Sequence, residues 1–300
     1  MSIEVSTLTQ LIDNEIIQAM GLPIDSWIGE HLRPFFDRAT RHFSEIFAEC
    51  DRVIGQQGLP EGARYLLSNL VNGFEARGAG NIPPTGPLVI ASNHPGTVDS
   101  ITLIAAAQRP DLKVIAGAIP FLQNLPNVSR HLIFTSYKDV HSRMIAMRES
   151  VRHLREGGAL LLFADGHIDP DPSFMPRAEE ELAHWSRSLE IFLRSVPQTQ
   201  VITSIVSNVI DPRFMRHPIT WLRRARPDRQ RLAMMIQIIQ QMLGRKLDLV
   251  PRVSFGDLLD IQSIGDPEHV MQAVIDSAKR LLQIHLNPES ASLSPESAAK

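Results

Sequence analysis

The run Leu88-Val89-Ile90-Ala91-Ser92-Asn93-His94-Pro95-Gly96-Thr97-Val98-Asp99 holds the residues best suited to chemistry, a histidine and an aspartate in the spacing His-x4-Asp. A neutral imidazole takes a proton from a hydroxyl near pH 7. A carboxylate on its other ring nitrogen fixes the tautomer and stabilises the imidazolium. His94 and Asp99 together therefore fit general-base activation of an alcohol. The elements that must position them are readable on either side. Leu88 to Ser92 is an apolar run of the length of a buried strand. Pro95-Gly96 is a turn signal, and Ile101, Leu103, Ile104 and Ala105 resume as a helix. The histidine then sits where a strand ends and the aspartate where a helix begins, the junction at which α/β folds collect ligands. The spacing alone suits equally well a loop histidine beside a helix-capping aspartate.

The flanks fix more positions: Gly78, Asn81-Ile82-Pro83, Gly86-Pro87, then Asn93-His94-Pro95-Gly96 and Asp99. This series resembles the "G-x-x-N-[IL]-P … G-P … N-H-x-x-x-x-D" signature of the glycerolipid acyltransferases of the lysophosphatidic-acid and glycerol-3-phosphate type. The resemblance covers roughly residues 74 to 210. It implies an α/β fold, a central mixed sheet flanked by helices, like that of glycerol-3-phosphate acyltransferase. It implies His94 as general base on the acceptor hydroxyl, Asp99 as its orienting partner, and Asn93, Pro95, Gly96 and Thr97 as substrate-binding neighbours. A second block, Asp165-Gly166-His167 at the end of the apolar run Leu160 to Ala164, matches the family's "F-P-E-G-T-R" and implies contact with the acceptor. Here Ala164 replaces Pro, Asp165 replaces Glu and His167 replaces Thr. The third block, "F-[IV]-[DN]-R", falls on Phe134-Thr135-Ser136-Tyr137 and lacks the phosphate-gripping Arg. Tyr137 stands in its place among the expected substrate-binding residues but cannot hold phosphate bidentately as a guanidinium does. Either a neighbour (Arg130, Lys138 or Arg143, the last expected at the substrate) substitutes, or the acceptor is not a simple glycerol phosphate. The fourth block, a strand with a proline, falls near Val201 to Val206 and has none.

The expected reaction is acyl transfer from a thioester, on coenzyme A or acyl carrier protein, to a hydroxyl of a lysophospholipid or glycerol phosphate. No cofactor beyond that co-substrate is expected. A catalytically silent lipid-binding protein of the same fold is the alternative. A metal-dependent hydrolase is a further rival, because Asp165-x-His167-x-Asp169 with His94 and Asp99 offers N and O ligands. Other metallohydrolase ligand motifs are absent from the sequence, and no metal is expected.

Composition narrows the class. The chain has 300 residues, 43% hydrophobic and 21% charged, with a net charge of -3, which suits a globular chain and gives no case for nucleic acid. The single cysteine, Cys50, excludes an internal disulfide framework; on an apolar face with Phe43, Ile46 and Phe47 it reads as buried and inert. No signal peptide and no window of transmembrane length is readable. The expected location is cytoplasmic, with peripheral attachment to the inner membrane face. Arg213, Arg216, Arg223, Arg224, Arg226, Arg229 and Arg231 crowd one stretch with Phe214 and Trp221. Arg223, Arg224 and Arg226 are the residues expected to meet anionic headgroups or an acidic carrier.

Domain limits follow from changes of period. Residues 1–82 read as a helical section: one helix ending near Gly21 and Pro23, a second capped by Asp25 or Ser26 and kinked or restarted at Pro34, and a third from Pro60 to Asn72. Residues 83–286 read as the α/β domain, with strands at Leu88–Ser92, Lys113–Ala116, Leu132–Ser136, Ala159–Ala164, Val201–Val209 and Arg252–Phe255. Helices are expected at Ser100–Gln108, Ser142–Glu156, Glu180–Ser195, Arg229–Leu243 and Pro267–Leu286, the last capped by Asp266. Residues 287–300, rich in Ser, Pro, Glu and Ala, read as a disordered tail.

Overall fold

Three of the strands are apolar at adjacent as well as alternate positions, so neither of their faces can meet water. A computed structural model, which describes residues 4–19, 23–136, 139–185, 188–259, 261 and 267–287, places them together in the middle of a seven-stranded sheet. In chain order the elements are α1 (Val5–Ala19), α2 (Trp27–Gln57), α3 (Leu59–Leu70), β1 (Glu75–Arg77), β2 (Leu88–Ser92), α4 (Asp99–Ala107), β3 (Lys113–Gly117), β4 (Leu132–Thr135), α5 (Val140–Arg155), β5 (Ala159–Phe163), α6 (Ser188–Ser195), β6 (Gln200–Ser207), α7 (Arg226–Met242), β7 (Arg252–Leu259) and α8 (Pro267–Leu286). Four helices of four or five residues, Pro120–Gln123, Pro126–Ser129, Ala178–Leu182 and Pro212–Met215, lie in the connections.

The sheet order is β1-β7-β6-β2-β5-β3-β4. β2 lies at the centre, paired in parallel with β5 on one side and β6 on the other. β7 runs antiparallel to β6 and carries the short edge strand β1 in parallel. The sheet is therefore mixed and covered by helices on both faces. Side chains alternate between the faces as the pleat requires. Leu88 and Ile90 of β2 and Ala159 and Leu161 of β5 join one core with α3 and α4. Val89, Ala91, Leu160 and Leu162 join the other with α6 and α8. Each fully buried branched side chain contributes about 1.5 to 3 kcal/mol, so the central strands are the stiffest ground on which to mount a site. Cys50 is buried against α3, where burial pushes its thiol up to about 12.

The turn that enters β2 is fixed by one buried cation. Arg109, 1% exposed, donates from Nη1 to Pro83 O at 2.7 Å and from Nη2 to Gly86 O at 3.0 Å, and pairs with Asp111 through Nε and Nη2, both at 2.7 Å. This satisfies a charge that burial would otherwise penalise heavily, and it sets where β2 begins.

The structure departs from the sequence reading at four places. β1 lies inside the section expected to be wholly helical; at three residues it is too short to show a period. α2 runs without interruption through Pro34, an interior position; there the proline forfeits one hydrogen bond and crowds the carbonyl one turn before it, a cost the rest of this 31-residue helix outweighs. The helix expected at Glu180–Ser195 is two pieces, since the chain turns at Ala183-His184 and so brings Trp185 as well as Leu189 into the core. β7 continues past Phe255 to Leu259. The expected cap Asp266 and residues 288–300 of the tail lie outside the described residues. Among the described residues no helix is long and apolar enough to cross a membrane.

Candidate active site

β2 ends at Ser92 and α4 begins at Asp99, and the six residues between them form a tight loop over the C-terminal edge of the sheet. His94 Nδ1 and Asp99 Oδ2 are 2.8 Å apart. The Asp99 side chain is 2% exposed and that of His94 31%, so the carboxylate is hidden while the ring reaches the surface. Asp99 Oδ2 also accepts the Gly96 N–H at 2.7 Å, and Oδ1 accepts the Ser100 N–H at 2.5 Å. The first turn of α4 favours a negative charge there. With Nδ1 facing the carboxylate, Nε2 is the nitrogen available to a substrate proton.

A second carboxylate holds the same histidine from its backbone. Asp169 Oδ2 accepts the His94 N–H at 2.6 Å, and the Asp169 N–H returns a bond to His94 O at 2.9 Å. The imidazole also stacks on Phe163, the last residue of β5, with centroids 4.1 Å apart and planes at 28°. Burial pulls the His94 pKa down, but the charge and hydrogen bond of Asp99, joined by Asp169, outweigh it, and the net direction is upward. Burial pushes Asp169 up to about 6, with the charges of Asp165 and Glu181 adding and the His94 N–H and His94 charge opposing.

α7 clamps the loop from above with residues one turn apart. Gln230 donates to Pro95 O at 3.0 Å, Met234 lies over Gly96, and Gln237 donates to Thr97 Oγ1 at 3.0 Å. Thr97 itself donates to Val209 O at 2.7 Å, beyond the end of β6. These contacts sustain two unusual conformations. Gly96 has φ +110°, and Thr97 has φ +54°, a left-handed value that a β-branched residue rarely adopts. A buried Asp171 ties the neighbouring loops by accepting the N–H groups of Asn208 and Val209, each at 2.9 Å.

The expected site residues fall into three groups. His94, Pro95, Gly96, Thr97 and Asp99 form the loop, and Asp165 and Gly166 lie in the turn just after Phe163. Asn93 is engaged elsewhere: its amide exchanges bonds of 2.9 and 2.8 Å with the Val206 backbone and is buried. It couples β2 to β6. His167 is largely exposed, with Nδ1 3.5 Å from Asp165 Oδ2. Arg143 is exposed on α5, and Tyr137 lies outside the described residues. The metal alternative loses its geometry, because Asp169 faces the His94 backbone while His167 points outward. Among the described residues no group of three or more His, Cys, Asp or Glu side chains is gathered as ligands. Arg226, expected at a membrane, faces inward: it bonds Gln230 Oε1 at 2.9 Å, Ile168 O at 3.3 Å and Glu181 Oε1 at 2.9 Å. Arg223 and Arg224 are exposed. Phe214 packs against the core, whereas Trp221 is 67% and Leu222 79% exposed.

Sequence reasoning overlooked Gln230, Met234, Gln237 and Asp171, and considered Asp169 only as a possible ligand in the rival metal reading. The available signal was the i, i+4, i+7 spacing of Gln230, Met234 and Gln237, which puts them on one helical face.

The family model described as Acyltransferase matches residues 73–191, from just before β1 into α6. A search of curated protein sequences returns no match. Among solved structures, the 1-acyl-sn-glycerophosphate (LPA) acyltransferase PlsC from Thermotoga maritima is similar, with 15% identity, a TM-score of 0.48, and coverage of 97% of this chain and 98% of that one.

The loop geometry generates a prediction. Gly96→Ala would put a Cβ 2.4 Å from Met234 Cε at a φ of +110°. The backbone strain should cost about 1 to 3 kcal/mol, read as a lower urea midpoint, and turnover should fall with it. Gly96→Ala/Met234→Ala should recover only the steric part, because the second change leaves φ untouched.

Proposed function

We propose that this chain, whose residues 73–191 are those of an acyltransferase-family segment, transfers a fatty acyl group from a thioester to a hydroxyl of a glycerophospholipid precursor such as 1-acylglycerol-3-phosphate. The observation that carries this reading is the His94–Asp99 pair: a buried carboxylate 2.8 Å from Nδ1 of a part-exposed imidazole. The donor would be acyl-coenzyme A or acyl carrier protein, and the acceptor a lysophospholipid or glycerol phosphate.

The chemistry follows from that arrangement. His94 Nε2 takes the hydroxyl proton as the acceptor oxygen attacks the thioester carbonyl, and Asp99 stabilises the imidazolium so formed. The carbonyl oxygen gains negative charge in the tetrahedral intermediate. Pro95 has no N–H, and the Gly96 N–H is occupied by Asp99. The oxyanion role therefore falls to the N–H groups of Thr97 and Val98, at the start of α4. Collapse of the intermediate breaks the C–S bond, and the imidazolium returns its proton to the leaving thiolate. Asp165 and Gly166, in the turn just after Phe163, would meet the acceptor.

Replacing the base is the direct test. His94→Ala should lower turnover by about two to four orders of magnitude, measured as thioester consumption with lysophospholipid and glycerol phosphate acceptors. Near-native turnover would refute the assignment. Lipid binding with no thioester consumption by the wild-type protein would favour the silent lipid-binding alternative.

Product of this kind is a lipid, and the exposed run of Ile219, Trp221, Leu222, Arg223 and Arg224 suits peripheral attachment. Two or three arginines near an anionic surface contribute about 1 kcal/mol each, and Trp221 with Leu222 adds apolar insertion. Flotation with anionic vesicles should weaken with salt and be lost in Arg223→Glu/Arg224→Glu, while neutral vesicles bind poorly. Unchanged flotation with loss of acyl-carrier use would instead mark the patch as a carrier-docking surface.

A further inference from the structure

Gln230 is fully buried, yet it is polar and lies in the second turn of a helix. Its Nε2 donates both hydrogens to backbone carbonyls of two different loops, Pro95 O at 3.0 Å and Asp169 O at 2.6 Å. Its Oε1 accepts from Arg226 Nη1 at 2.9 Å. The amide can face only one way, since the opposite orientation would set its oxygen against two carbonyls and its NH2 against a guanidinium. Arg226 is in turn held by Glu181 at 2.9 Å. A relay thus runs from Glu181 through Arg226 and Gln230 to the residue after His94 and to the carboxylate residue that holds the His94 N–H. Burying a primary amide is costly unless every group is satisfied, and an apolar side chain of the same volume would fill the space more cheaply. What the amide adds is a fixed spacing between the loop after β2 and the loop after β5. It also lies outside residues 73–191, the segment the family model matches.

We propose that Gln230 is a positioning residue for acyl transfer: it locks the His94 loop to the Asp169 loop, and so holds His94 Nε2 at a fixed distance from an acceptor seated beside Asp165. This rests on His94 being the general base. Misplacement by about 1 Å costs up to 10²-fold in rate, which sets the expected size of the effect.

The test uses the full chain with two variants. Gln230→Met keeps length and bulk but removes both donors. Gln230→Glu keeps an acceptor for Arg226 and likewise cannot donate to the two carbonyls. Turnover is scaled to folded protein by circular dichroism, with His94→Ala run alongside. The expected result is a kcat lowered about 10- to 100-fold in both variants, with KM for the acyl donor within about threefold of wild type. A role in stability alone would reduce the amount of folded protein and leave kcat per folded molecule unchanged. A kcat within about twofold of wild type, a raised KM with intact kcat, or failure of both variants to fold would each overturn the proposal. Inactive His94→Ala beside a native-like Gln230→Met would defeat this inference alone, whereas an active His94→Ala would defeat the reading beneath it.

Discussion

The 2.8 Å contact between His94 Nδ1 and Asp99 Oδ2 is the constraint that the rest of the site serves. A buried imidazole left to itself loses basicity, because burial penalises its charged form. Here the direction is reversed by Asp99 and, from behind, Asp169. That reversal requires His94 to stay against a carboxylate that is itself shut off from water. The carboxylate is fixed by the Gly96 and Ser100 N–H groups, and the loop between the two residues must turn sharply enough to bring them together. Gly96 and Thr97 supply the turn in conformations that only surrounding contacts sustain.

Those contacts come from three directions. From β5, Phe163 stacks on the ring and Asp169 holds the His94 N–H. From beyond β6, Val209 O receives the Thr97 hydroxyl, while Asn93 pins β2 to β6 through the Val206 backbone. From α7, Gln230, Met234 and Gln237 press on Pro95, Gly96 and Thr97 in turn. The sheet matters to function because it holds β2, β5 and β6 side by side and parallel, β2 and β5 ending level and β6 running on from Ser204 to Ser207, so the loops that follow them meet around one histidine.

The strands were legible because their apolar runs leave no polar face, and the end of one such run is where His94 stands. The His-x4-Asp spacing identified the pair, but not the second carboxylate: Asp169 lies 75 positions away from His94 and reads in sequence as one of a local acidic cluster. α7 was legible as a helix and misleading as a surface. Its glutamines Gln230, Gln237 and Gln241 are buried, while Met235 and Ile239 are exposed, the inverse of the usual apolar face. A helix whose inner face satisfies backbone carbonyls of loops needs amides there, and no periodicity rule anticipates that. The arginine-rich stretch was similarly divided: Arg223 and Arg224 face solvent, whereas Arg226 is used to orient a buried amide.

The central claim is that His94 is a base whose proton affinity is set by Asp99, and the pH dependence of kcat/KM in wild type and Asp99→Asn tests it most directly. Only the neutral imidazole accepts the acceptor's proton, so activity is lost as pH falls through the His94 pKa, with protonation of Asp169, near 6, adding to the same limb. The wild-type acidic limb should have its midpoint above 6.5, the ordinary histidine value. Asp99→Asn removes the charge and leaves burial dominant, so its limb should move to lower pH while the plateau rate falls. A limb that stays in place when Asp99 becomes Asn, or a wild-type profile with no acidic limb, would contradict the account.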